Sequence, residues 1–179
     1  MSAGASPVIG ANFDRVSDGT TTNGENAEFA LNTEIATSDG NVYRYCQAGA
    51  AISTTLNEPF ALAIDEDGQA VLLTAALGLA GHRVGVAPRQ IIADNAYFWA
   101  RMRGTFSIRV TASTAADVLL GIGGVGASGR LASSVTASAG NMVVQGLVIT
   151  AAASASASAG NTIRTALATW PLATTAVAD

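Results

Sequence analysis

The segment Gly121-Ile122-Gly123-Gly124-Val125-Gly126 has the spacing G-x-G-x-x-G and follows an apolar run that reads as a strand. In a dinucleotide site such glycines let the backbone approach a pyrophosphate at a helix N-terminus. An acidic residue about 20 positions later then holds the ribose. Here Ala127-Ser128-Gly129 follows, and no acid occurs between Asp117 and Asp179. The segment therefore reads as a glycine-rich turn. Asp65-Glu66-Asp67-Gly68 has the opening of a calcium loop, but the twelfth position, where a bidentate Glu is needed, is Ala76. It reads as a solvated turn. His82 is the one histidine. A hydrolytic triad would need a nucleophile and an orienting carboxylate beside it, and no serine stands in an elbow context. The chain has nine arginines and no lysine, which removes a P-loop and Schiff-base chemistry. Glu58 before Pro59 and Asp94 before Asn95 read as loop residues rather than a glycosidase pair. Cys46 is alone, so it forms no internal disulfide and joins no zinc cluster. It reads as a small buried hydrophobe, compatible with synthesis in a reducing compartment. No catalytic residue, metal site or cofactor is expected.

What remains is recognition by surface. Trp, Tyr and Arg are the side chains that most often anchor protein contacts. Tyr43 and Tyr45 share one strand face, and Trp99 shares a face with Arg101 and Arg103. With Trp170 these six residues form the candidate interface set. Stacking on sugars or single-stranded nucleic acid is a weaker reading of the same aromatics. A net charge of -4 without clustered cations does not suit a phosphate backbone or an anionic membrane surface. The N-terminus lacks the basic and apolar regions of a secretory signal, and no apolar run reaches the ~18 residues of a membrane span.

The elements that position these residues are strands. Phe98, Ala100 and Met102 alternate with Tyr97, Trp99, Arg101 and Arg103, and Arg103-Gly104-Thr105 reads as a turn into Phe106, Ile108 and Val110. Period-two alternation of this kind marks a sheet with one face on a core. Phe29 to Ile35 and Val42 to Gln47 flank a turn at Ser38-Asp39-Gly40-Asn41, and Phe60 to Ile64 and Val71 to Leu73 flank Asp65 to Gly68, which predicts two hairpins. Val84 to Ala87, Val118 to Ile122, Met142 to Ile149 and Ile163 to Leu167 read as further strands. Ala75 to Ala80 has room for one helical turn at most. The expected fold is all-β, a small antiparallel barrel or sandwich.

Residues 1–26, rich in Gly, Ser, Thr, Asn and Asp, read as an extended N-terminal arm, and 27–179 as the β-rich domain. Charged residues are 12% of the chain, about half of the ~25% usual for a soluble domain. In residues 118–178 the only charges are Arg130 and Arg164. A surface so poor in charge does not keep copies apart, so 118–179 is expected to supply assembly contacts. Ala151 to Ala159 is an Ala/Ser tract that suits either a loop or a close-packed contact.

The runs Val42-Tyr43-Arg44-Tyr45-Cys46-Gln47-Ala48-Gly49-Ala50-Ala51-Ile52, His82 to Pro88 and Ala93 to Gly104 resemble small virion proteins of tailed bacteriophages, most nearly the capsid decoration, or cement, proteins. The resemblance covers about residues 40–125 by pattern. It implies a β-rich homotrimer without catalytic residues. Such a protein is made in the host cytoplasm and sits on the outer capsid surface, clamping neighbouring copies of the major capsid protein. An arm that orders on the shell would match residues 1–26. Other structural β proteins (a head fibre, a tail component or a surface-layer element) are the alternative.

Overall fold

The computed structural model describes residues 11–17, 27–53, 58–78, 81–111, 114–118, 120–122, 129–133, 142–151 and 162–175. These form an all-β architecture with one helical turn, α1 (Ala75–Gly78). The strands are β1 (Glu34–Ala36), β2 (Val42–Ala48), β3 (Ala61–Ile64), β4 (Gln69–Leu72), β5 (Arg83–Val86), β6 (Tyr97–Val110), β7 (Leu120–Ile122), β8 (Leu131–Ser133), β9 (Met142–Ile149) and β10 (Thr162–Thr175). Both predicted hairpins are present, as β1–β2 and β3–β4. The Asp65 carboxylate caps the second turn by accepting from the Asp67 and Gln69 N–H groups. The glycine-rich segment beyond Ile122 and residues 152–159 of the Ala/Ser tract lie outside the described residues.

The sheet is mixed rather than wholly antiparallel, because β2–β4 and β6–β8 pair in parallel. Its pairings also return on themselves. One circuit runs β2–β4–β3–β5–β6 and back to β2; the other runs β10–β6–β8–β7–β9 and back to β10. Strand β6 belongs to both.

That sharing explains why the expected turn at Arg103-Gly104-Thr105 is absent. β6 continues through it for 14 residues. Its first half pairs with β2 and its second half, from Arg103 on, with β10. Gly104 makes the change of partner. It has φ +110°, and a Cβ there would lie 1.7 Å from Asn41 Oδ1, which accepts the Thr105 N–H at 3.2 Å. A glycine inside a strand more often bends it or admits a neighbour than ends it.

Each circuit surrounds a core. Cys46, Leu62, Ile64, Phe98, Ala100 and Met102 belong to the first; Phe106, Ile108, Leu120, Val144, Ile149 and Ala166 to the second. β3 is buried on both faces: Leu62 and Ile64 enter one core, Ala61 and Ala63 the other. Beside it, Val84 and Val86 of β5 face the second core, while a Cβ on Gly85 would meet Ile64, Met102 and Ala100 of the first. The many alanines have their physical use here, since small side chains let two cores share one thin wall.

Candidate functional site

The six interface candidates fall in two places. Tyr43, Tyr45 and Trp99 lie on the outer face of β2 and β6, but that face is covered. Phe13 stacks on Tyr43 with ring centroids 4.3 Å apart and meets Trp99 edge-on at 5.3 Å. Phe29 packs on Tyr45 and Trp99 at 5.4 and 5.1 Å. Residues 11–17, part of the expected arm, thus lie across the sheet. Ser17 fastens them: its N–H donates to the Tyr97 carbonyl at 3.0 Å, and its Oγ accepts the Tyr97 N–H at 2.6 Å. Arg15 pairs with Glu28, and the Tyr45 hydroxyl accepts the Glu28 N–H at 3.2 Å. Trp99 is only 1% exposed and Tyr45 5%. In this fold they are packing residues of a third core and not open anchors. The strand alternation placed them on a common face; it carried no sign that the chain's own N-terminal segment covers it. Burial pushes the Tyr43 and Tyr45 phenols up from their ordinary range. Arg101, half-buried, and Arg103, exposed, continue this face beyond the aromatics.

Trp170 is different. It is 45% exposed at φ +60°. A bulky residue is uncommon in this region and costs of order 1 kcal/mol there. The cause is a break in register: between Ala168 and Leu172 the β10 chain carries two residues more than β9 does between Leu147 and Gln145. The excess is accommodated opposite Gly146, at φ +74°, where a Cβ would sit 2.9 Å from the Thr169 carbonyl. Trp170, Pro171 and Leu172 line a cleft of about 440 Å³ together with Met102, Glu34 and Arg83, the cross-strand neighbour of Leu172. Sequence reading singled out Trp170 but had no signal for the bulge that holds it outward.

A second cleft, about 490 Å³, lies on the other side of Arg83 and is lined by Asn32, Arg44, Asp65, Glu66 and His82 among others. Its two arginines, Arg44 and Arg83, are both engaged by Glu34. Glu34 accepts from Arg44 Nε at 2.9 Å and from Arg83 Nη1 at 3.4 Å. Arg44 is buried there; Arg83 is open to solvent. Glu58 likewise pairs with Arg109, which lies 5.1 Å over the Phe60 ring. His82 lines this cleft, and among the described residues no three His, Cys, Asp or Glu side chains group to hold a metal. The Cys46 thiol is fully enclosed, and burial pushes its pKa up to about 12, so it is a poor nucleophile.

The outer face where β6, β10 and β9 run side by side has another character. Across it lie Ser107 beside Thr165, then Thr105, Leu167 and Val148 in one row, then Thr169. Among the described residues its charges are Arg103 at one end and Arg109 at the other; Arg164 of β10, opposite Ile108, alternates with Thr165 toward the other face. Leu167 is 43% exposed and Leu172 40%; with Trp170 they are three of the four exposed large hydrophobics among the described residues, and all three sit on β10.

The chain matches no protein-family model, and no curated protein sequence is similar to it.

Proposed function

We propose that this protein is a non-enzymatic structural subunit of a phage virion, a decoration protein bound to the outside of an icosahedral head. The phage assignment is supported by the sequence resemblance over residues 40–125. The assembly role is supported above all by Trp170. A strained, half-exposed tryptophan beside Pro171 and Leu172, at the mouth of a 440 Å³ cleft, suits an anchor for a partner segment. Strain of this sort persists where a site uses it. The two closed strand circuits read as two small barrels sharing β6, a rigid body on which such anchors keep their spacing. The protein acts as a homotrimer that engages several major capsid subunits at once, so weak individual contacts add through effective concentration. No cofactor, nucleic acid or membrane takes part.

Cosedimentation with phage heads before and after expansion tests this. Binding is expected to expanded heads, and Trp170→Ala is expected to weaken it about tenfold or more, as loss of a central aromatic anchor does. Absence of binding to heads in either state would remove the reading. The arm is tested separately by deleting residues 1–10. Deletion through residue 26 also strips Phe13 and Ser17 from the sheet and confounds docking with stability.

A further inference from the structure

We infer that the outer face of β6, β10 and β9, centred on Leu167, is the surface by which one copy of this chain binds another. The inference deepens the proposed assembly role, and rests on it only in expecting copies to associate. Three observations carry it. The face is apolar at its middle, where Leu167 stands between Thr105 and Val148 in one cross-strand row. It is flanked by uncharged side chains, Thr165 and Ser107 on one side and Thr169 on the other. Finally, the nearest charges are peripheral or already engaged: Arg103 lies at the rim, Arg109 is turned onto Phe60 and Glu58, and Arg164, half-buried and alternating with Thr165, donates to the Ile163 carbonyl.

Electrostatics selects the occupant. A charged partner surface pressed onto this face would bury its charges against hydroxyls and methyls, with no opposite charge to compensate the lost hydration. An uncharged face is matched by another uncharged face, and around the threefold axis of the proposed homotrimer the same face of each copy meets those of its neighbours. Strands β6, β9 and β10 carry no acidic residue, so approach in this orientation brings together no carboxylates of these strands. The contact is side chain to side chain across sheet faces. It needs no free strand edge, since β10 is already paired with β6 and with β9. This contact uses Leu167, Thr165 and Thr105, leaving the Trp170 cleft for a different partner.

The test is the mass of the purified protein by sedimentation equilibrium over a concentration series, with no heads present. The wild type is expected to self-associate. Leu167→Glu, at a side chain that touches solvent in the protomer, is expected to weaken association at least about a hundredfold, because it buries an unpaired carboxylate in the contact. Thr165→Glu on the same face serves as a second variant should the first fold poorly. Ile91→Glu, at the fourth exposed hydrophobic, is expected to leave the mass unchanged. A wild type that stays monomeric at all concentrations overturns the inference. So does a folded Leu167→Glu and Thr165→Glu pair that associates as the wild type does. Loss of head binding by a variant whose self-association is intact would instead assign the face to the shell. The decoration reading stands or falls on head binding alone, so the two failures are distinguishable.

Discussion

Replacing Phe13 by Ala should open the aromatic cluster without unfolding the body, and the two tryptophans make this measurable. Phe13 is half-buried, so truncation forfeits about 1 kcal/mol of apolar burial. Its two ring contacts, with Tyr43 and Trp99, contribute about 0.5–1.5 kcal/mol each beyond that. Together the loss is about 2–4 kcal/mol. This is a large part of what holds residues 11–17 in place, beside the two Ser17–Tyr97 hydrogen bonds, the exposed Arg15–Glu28 pair and the packing of Ala11 and Val16. The segment should therefore be released in a large share of molecules. In a Trp170→Phe background, Trp99 is the sole tryptophan. It is buried in the parent and becomes accessible in the Phe13→Ala variant. The expected result is a red-shifted emission and a several-fold rise in acrylamide quenching. The fall in melting temperature is bounded by the docking free energy, no more than about 15 °C for a chain of this size. Unchanged quenching in the variant would show that residues 11–17 do not shield Trp99, and the account of this face would be wrong.

Glu34→Gln should destabilise by about 2–4 kcal/mol in urea unfolding because it leaves the buried Arg44 uncompensated, whereas Arg83→Ala, on the exposed arm of the same cluster, should stay within about 0.5 kcal/mol. Stability should decline as pH rises above about 9. Cys46, Tyr43 and Tyr45 all have folded pKa values raised by burial, so the native state holds protons that the unfolded chain releases; their stabilisation is complete below the unfolded values and is lost on the alkaline side. Cys46→Ala should remove the earliest part of that decline in a pH series of denaturant midpoints. Gly104→Ala should cost about 2 kcal/mol or more, since a side chain there must adopt a left-handed φ and displace Asn41; a thermal midpoint equal to wild type would refute the corner assigned to it.

Much of the strand content was legible because alternation is local. Met142–Ile149 and the Asp65–Gly68 hairpin follow from side-chain period and turn chemistry alone. β8 was not legible: three residues, Leu131–Ser133, are too few to show a period. Gly104 was misread because a glycine that kinks a strand and one that ends it look alike until the partners are known. β10 extends past Leu167 to Thr175 through Pro171, a residue that by itself argues against a strand interior. The bulge around Trp170 is what accommodates it. The covering of Trp99 by Phe13 spans 86 positions in sequence, and no local pattern reports such a contact. The poverty of charge beyond residue 117, by contrast, is a property of composition, and it led directly to the face around Leu167.

The shared strand β6 bears on how the molecule is made. β10 follows all of its partners in sequence, and it pairs with β5, β6 and β9. During synthesis the second half of β6 therefore leaves the ribosome with that side unpaired, and waits while more than fifty further residues are added. The face proposed to join copies exists only once β10 has docked, because Leu167 is carried on it. An unfinished nascent chain thus lacks the surface through which finished chains would recognise each other. If copies join through this face, their association waits on the docking of β10, a timing set by strand order.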